Sequence, residues 1–256
     1  MNPQLSSFHT ARRPRVTWKS PGFTLFELLV VVAVIGVLVG LTIPGLAMAR
    51  ERARATRSTS NLTQIFAALS HYVSEERDTY PFGEAGRFYR VAFDEPGMMA
   101  STGHWSFDVQ WPVLFHRVAP WREHAATWIS PSSLRKPTPV PCAYRYSHTF
   151  VARPELWSDM PGTSTATLLR PTKLQDVLFP ASKVVMWDGE MPYLRRHRSL
   201  MPGMLSNPAP MLFVDGHISE LLPGKAATPV ANVLNPHPSA AQPLHNTPQG
   251  VRGRDY

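Results

Sequence analysis

At 256 residues the chain has room for one modest domain and one membrane helix, and its 26 prolines describe a loop-rich rather than a helical body. It carries 26 Lys and Arg against 18 Asp and Glu, a net charge of +8. Four of those charges, Arg12, Arg13, Arg15 and Lys19, fall in the first 22 residues with no acid beside them, and without them the balance is an ordinary +4. The high isoelectric point is therefore no argument for nucleic acid as a partner. The single cysteine, Cys142, excludes an internal disulfide and with it a disulfide-framed scaffold.

Residues 1–22 are polar and basic and have no apolar region of their own, so they read as a leader. From Leu28 to Ala49 follow 22 residues without a charge. As a helix they span roughly 33 Å, enough for a hydrocarbon core of about 30 Å. The run is apolar on all faces, which disfavours the buried helix of a soluble core, and it is too long for a cleaved secretory signal. Positive charge flanks both sides, with Arg50, Arg52, Arg54 and Arg57 against Glu51 after the run, so charge alone barely orients the helix.

Glu27 stands at the edge of this apolar run, where a carboxylate is costly unless it reaches headgroups or finds a cation. Two readings are even on residue chemistry. One is a snorkelling acid. The other is a partner for the α-amine that cleavage after Gly22 would free on Phe23, neutralising two charges that lipid disfavours.

The stretch Gly22-Phe23-Thr24-Leu25-Phe26-Glu27 resembles the Gly-Phe-Thr-Leu-x-Glu signature of type IV prepilins and type II secretion pseudopilins. Counted from Phe23, Glu27 is the fifth residue and Pro44 the twenty-second, as in that family. The resemblance implies cleavage between Gly22 and Phe23 by prepilin peptidase and N-methylation of Phe23. It further implies extraction of the subunit from the inner membrane into a helical filament, with Glu27 setting register. Pro44 removes one helical hydrogen bond and clashes with the carbonyl of Gly40, so a kink is expected there, in a region that bends or melts when subunits of the family pack.

Residues 23–49 are thus expected to form the transmembrane and polymerisation helix, and 50–77 its continuation. Leu62, Ile65, Phe66, Leu69, Tyr72 and Val73 recur at helical spacing and form one face, expected to pack on a sheet. Ser60 or Asn61 would cap a second helix if the first breaks, and Tyr80-Pro81 closes the element. Asn61-Leu62-Thr63-Gln64-Ile65 and Phe213-Val214-Asp215-Gly216-His217 resemble a planctomycete-type branch of pilin-like proteins. The histidine which that branch places ten residues before its Asp-Gly is replaced here by Leu205.

Residues 78–224 read as a loop-rich α+β head. Phe82, Phe88, Tyr89, Phe93, Trp105, Phe107, Trp111, Phe115, Trp121 and Trp128 are read as a small core that needs large side chains, with a turn of helix near 111–118. Residues 142–147 alternate as a half-buried strand. Asp188-Gly189 and Asp215-Gly216, each between apolar runs, predict two hairpin turns with positive φ at both central residues. Residues 225–256 lack apolar mass and are expected to be a disordered tail.

No cofactor is expected. A Ca²⁺ held by loop carboxylates at Asp188, Asp215 and Glu190 stands second to their role as turn residues, because no ligand run accompanies them. The ten histidines show no tight ligand spacing, and no phosphate loop or nucleophile elbow appears. The expectation is an α+β, pilin-like chain: a long N-terminal helix packed on a small antiparallel sheet, serving assembly and not an enzyme. Its expected partners are the prepilin peptidase and N-methyltransferase, other pilin or pseudopilin subunits, the inner-membrane assembly platform and the membrane. The leader would be cytoplasmic and the head periplasmic. The alternative is a membrane-anchored periplasmic binding protein that does not polymerise.

Overall fold

The computed structural model describes residues 22–84, 104–128, 144–158, 165–189, 208–232, 234 and 242–256. Expectations that concern the leader up to residue 21, Phe88, Tyr89, Phe93, Cys142, Glu190 and the tail over 235–241 lie outside these residues, as does the side chain of Trp121. The chain divides into two units, Met1–Met48 and Ala49–Tyr256.

One helix, α1 (Leu25–Glu75), runs unbroken across 51 residues. Its length follows from the residues: Ala, Leu and Arg are strong helix formers, and the single interior proline falls in the apolar run. The single long helix is as expected, and the break that Ser60 or Asn61 would have capped does not occur. The end is set by chain reversal. Asp78 N–H reaches the Val73 carbonyl at 2.9 Å, and Arg77 and Asp78 both take left-handed backbone, with φ of 54° and 61°. That pattern of a long closing bond over left-handed residues ends a helix firmly.

The second unit is built on a four-stranded antiparallel sheet in the order β1 (Tyr144–Tyr146), β2 (Val184–Asp188), β3 (Ala209–Phe213) and β4 (Ile218–Leu221). The register pairs Tyr144 with Asp188, Tyr146 with Met186, and Met186 with Leu212. These side chains share one face. There Leu62, Ile65, Leu69 and Val73 of α1 join Tyr144, Tyr146, Met186 and Leu212 in one core. Full burial of four such aliphatic side chains stabilises by about 1.5–3 kcal/mol each. Of the predicted apolar stripe only Phe66 and Tyr72 remain half-buried.

The aromatic core predicted for the head is present. Phe107, Trp111, Phe115 and Trp128 are fully buried; Phe107, Phe115 and Trp128 lie on the short helices α2 (Phe107–Gln110), α3 (Pro112–Phe115) and α4 (Trp121–Trp128), and Trp111 joins α2 to α3. Trp111 meets Phe115 and Trp128 with ring centroids 5.1 and 5.2 Å apart, and its indole N–H donates to the Tyr144 carbonyl at 2.8 Å. The indole thus fills the core while its one polar atom is satisfied.

Two expectations fail here. The stretch 242–256 is not a disordered tail but part of the head. Leu244 packs with Val184, Trp187, Met211 and Phe213 in a second buried cluster, separate from the one that holds Leu62 and Ile65. The Asp255 carboxylate accepts from the Val184 N–H at 2.7 Å and pairs with the fully buried Lys183 ammonium at 3.2 Å. Low apolar content was misleading because this segment is held by polar groups that the sheet supplies. Nor do Asp188 and Gly189 form a tight hairpin turn. Asp188 is the last residue of β2, Gly189 has no positive φ, and β3 begins only at Ala209.

Candidate functional site

The helix start is where the sequence placed its chemistry. Gly22, Phe23 and Thr24 precede α1 and are not helical, and Phe23 is 73% exposed. The Gly22–Phe23 bond therefore lies outside the helix, two residues ahead of Leu25. Thr24 and Glu27 then close a reciprocal pair. The Glu27 N–H donates to Thr24 Oγ1 at 3.2 Å, while the Thr24 N–H and hydroxyl donate to Glu27 Oε2 at 2.9 and 2.8 Å. This is a capping box, Thr-x-x-Glu, which satisfies donors that a helix start leaves open. Sequence reasoning missed it, although the three-residue spacing was its signal. Glu27 thus has a role within its own chain: it fixes where α1 begins and puts a carboxylate in the first turn, where the helix dipole favours it.

From Leu25 to Met48 every large apolar side chain of α1 is exposed, Leu41 at 75% among them. The helix is long and apolar enough to cross a membrane. Pro44 lies inside it, and α1 continues through.

Within the second unit α1 is fixed to the sheet by a buried polar network that the sequence did not announce. The Ser58 hydroxyl donates to Asp188 Oδ2 at 2.6 Å and lies 3.3 Å from the Tyr144 hydroxyl, to which Asn61 Nδ2 donates at 3.1 Å. Asp188, expected in a turn, is an anchor for the helix. The helical step from Ser58 to Asn61 and on to Ile65 could have suggested a mixed polar and apolar buried face.

Asp215 and Gly216 do form the β3–β4 hairpin, with a difference. Gly216 alone has positive φ, at 91°, and its N–H bonds to the Phe213 carbonyl at 3.0 Å. A loop closed by one left-handed glycine replaces the expected two-residue turn. Asp215 Oδ1 accepts from the His217 N–H at 3.1 Å and lies 2.6 Å from His217 Nδ1. Asp188 and Asp215 sit at opposite ends of the β2–β3 ladder, since Val184 pairs with Phe213 and Trp187 with Met211. They do not converge on one ion.

Among the described residues Asp108, His148 and His245 bring one ligand-type atom each within 4.8 Å of one another. Their pairing is internal. Asp108 accepts from Arg145 Nη1 at 2.6 Å, and His148 Nε2 meets the Trp105 carbonyl at 2.9 Å. His245 Nδ1 accepts from the His148 N–H at 3.3 Å, which leaves the proton of a neutral imidazole on Nε2, 4.0 Å from Asp108. A cation here would compete with Arg145 and require His245 to invert its tautomer against a backbone donor. Burial lowers the pKa of both imidazoles, and Arg145 lowers both further.

Residues 19–43, which include the Gly22–Phe23 bond and most of the exposed apolar stretch of α1, match the family described as the prokaryotic N-terminal methylation motif. The chain carries a prepilin-type N-terminal segment. The type IV major pilin protein PilA of Myxococcus xanthus is 35% identical over 69 residues, 27% of this chain and 31% of that protein. The type II secretion system core protein G of Pectobacterium carotovorum is 33% identical over 69 residues, 27% of this chain and 44% of that one. Its counterpart from Escherichia coli is 40% identical over 58 residues, 23% and 40% of the two chains. The chain thus spans less than half the length of these curated relatives. No solved structure matches it. The matched motif is confined to the N-terminal part of the chain, which is joined here to an α+β head with a four-stranded antiparallel sheet.

Proposed function

We propose that the chain is a structural subunit of a type IV pilus or type II secretion pseudopilus. Residues 1–22 are removed between Gly22 and Phe23 by prepilin peptidase, and Phe23 is N-methylated. The subunit first resides in the inner membrane as a single-pass protein, leader in the cytoplasm and head in the periplasm. The assembly platform then passes it to other pilin or pseudopilin subunits. The observation that carries this reading is a coincidence of position. The matched motif covers 19–43, and within it an exposed, spanning apolar helix begins two residues after the Gly22–Phe23 bond.

In this reading Glu27 has two tasks in succession. In the single subunit it caps α1 through Thr24. In the filament it meets the α-amine of a neighbouring subunit's Phe23, so that neither charge is left alone in an apolar layer. Pro44 is the point at which α1 yields as subunits pack. No cofactor is required, and the head contributes contacts rather than chemistry.

Mass spectrometry of the chain from a host that expresses prepilin peptidase tests the reading. The expected product begins at Phe23 and carries one added methyl group on its amine. A chain that keeps Met1, or is cut elsewhere, sinks the proposal. Glu27→Ala should leave cleavage intact and abolish incorporation into filaments. Unchanged incorporation would assign the residue to capping alone. Correct cleavage with no assembly of the wild-type chain would favour an anchored binding protein.

A further inference from the structure

The arginines that follow the apolar run take no part in processing or in the core. Arg50, Arg52, Arg54 and Arg57 stand within eight residues of α1, with Glu51 as the one acid among them. All four are exposed, and among the described residues no carboxylate pairs with any of these guanidinium groups. Elsewhere in the head Arg117, Arg145 and Arg252 each meet a carboxylate, and Arg254 lies over the Phe179 ring.

Position along the helix gives this set a meaning. Ala49 is the last residue of the uncharged run, and Ser58 is the first buried residue of α1. At a rise of about 1.5 Å per residue, Arg50, Arg52 and Arg54 lie roughly 1.5, 4.5 and 7.5 Å beyond Ala49. A headgroup layer is about 5–8 Å thick, the difference between the hydrocarbon core and the full bilayer shared over two faces. Three of the arginines fall within that depth, and Arg57 lies about 12 Å beyond Ala49, on the water side of it. On a 3.6-residue helix Arg50, Arg54 and Arg57 occupy an arc of roughly 60°, with Arg52 on the other side, so three charges share one face and one stands opposite. All four are arginine and none lysine. The guanidinium fork binds phosphate through two parallel hydrogen bonds and sheds water more readily than an ammonium.

We propose that Arg50, Arg52, Arg54 and Arg57 form a collar that binds the phosphodiester headgroups of anionic phospholipids where α1 leaves the bilayer. The inference rests on the membrane-spanning reading of α1 and adds a ligand class to it. Bound lipid fixes the depth of the span and holds the subunit in the membrane until assembly draws it out.

The test uses the full chain reconstituted in nanodiscs of equal parts phosphatidylglycerol and phosphatidylcholine. The lipids retained on release into detergent are counted by native mass spectrometry. Wild type should retain phosphatidylglycerol in excess of its bulk share, and the excess should shrink between 0.1 and 1 M NaCl as the screening length falls from about 10 to about 3 Å. The change of all four arginines to glutamine should lower it, at about fivefold in lipid preference per arginine removed, to the share held by the basic residues Arg12, Arg13, Arg15 and Lys19 before the span. Four lysines in their place should restore part of the preference. No excess in wild type, or the same excess in the glutamine variant, overturns the collar. So does displacement of the lipid by millimolar inorganic phosphate, which would mark a site for the free ion. Salt-sensitive self-association without lipid preference would give the arginines to a second copy of the chain and likewise overturn it. Alkaline carbonate extraction of membranes that hold the chain separates the two readings. Release from the membrane sinks the spanning helix itself, whereas retention without lipid preference sinks only the collar.

Discussion

Gly216 shows how a single residue carries both a turn and a contact. Its φ of 91° lies in the left-handed region, and a Cβ built on it would come 2.5 Å from the Phe66 ring of α1. Gly216→Ala therefore strains the backbone and pushes on the helix in one step. It is expected to cost about 1–3 kcal/mol, read as a lower denaturation midpoint of the full chain in detergent. An unchanged midpoint would mean that Phe66 yields freely and the turn relaxes. The buried imidazoles act through protons. Both His148 and His245 titrate below the usual 6.5, chiefly because burial disfavours the imidazolium. For His148 the Asp108 carboxylate works the other way, while His104 and Arg145 add to the lowering; for His245 the neighbours His148, Arg145 and Lys183 add to it. Below pH 6.5 the unfolded chain takes up these protons and the folded chain does not, until the pH reaches the lower folded values. The unfolded state binds more protons across that window, so stability falls as pH falls through it. The urea midpoint should drop between pH 7.5 and pH 5, and His245→Asn should flatten the decline. A decline of the same steepness in that variant would place its origin elsewhere.

Among the elements, the 242–256 segment is fastened most heavily by charge. Lys183 Nζ donates to Thr247 Oγ1 at 2.7 Å and pairs with Asp255, while the Thr247 hydroxyl also donates to Asp255. Burial lowers the Lys183 pKa and Asp255 opposes that shift. A buried pair is worth little against an apolar replacement of both partners but is costly to break from one side. Lys183→Met should destabilise the head by about 3–5 kcal/mol, because it strands the Asp255 carboxylate in a dry site. Lys183→Met combined with Asp255→Leu should recover much of that loss. A double variant no better than the single one would show that the Val184 N–H, left without its acceptor, matters more than the ion pair. Helix α1 has a comparable fastening at Ser58 and Asn61. Its grip on β1 and β2 depends on Tyr144 and Asp188 as much as on its apolar stripe.

For the molecule as a whole, the two units carry different kinds of information. Met1–Met48 contains the Gly22–Phe23 bond and an apolar helical stretch with no buried side chain in its most apolar window, so its role depends on what surrounds it. Ala49–Tyr256 encloses its own core, in which strand residues pack with the Leu62–Val73 stripe of α1 in one cluster and with Leu244 in another. The processing prediction belongs to the first unit and the three stability predictions to the second. The arginine collar begins where the first unit ends.

The long helix, its apolar run and the Leu62–Val73 stripe were legible because each is local. Periodicity, charge spacing and run length act within a few turns of one helix. The aromatic core was legible as a composition, and the strand at Tyr144–Tyr146 as an alternation. Asp188 was misread because a buried carboxylate and a turn carboxylate look alike until the strand opposite it, and Ser58 some 130 residues away, are in place. The 242–256 segment was misread for the same reason. Its polar residues have nothing to fold against until Lys183 and the Val184 N–H are brought to them across about 70 residues. Burial of polar groups is decided by partners distant in the chain, and only the folded sheet brings those partners within hydrogen-bonding distance.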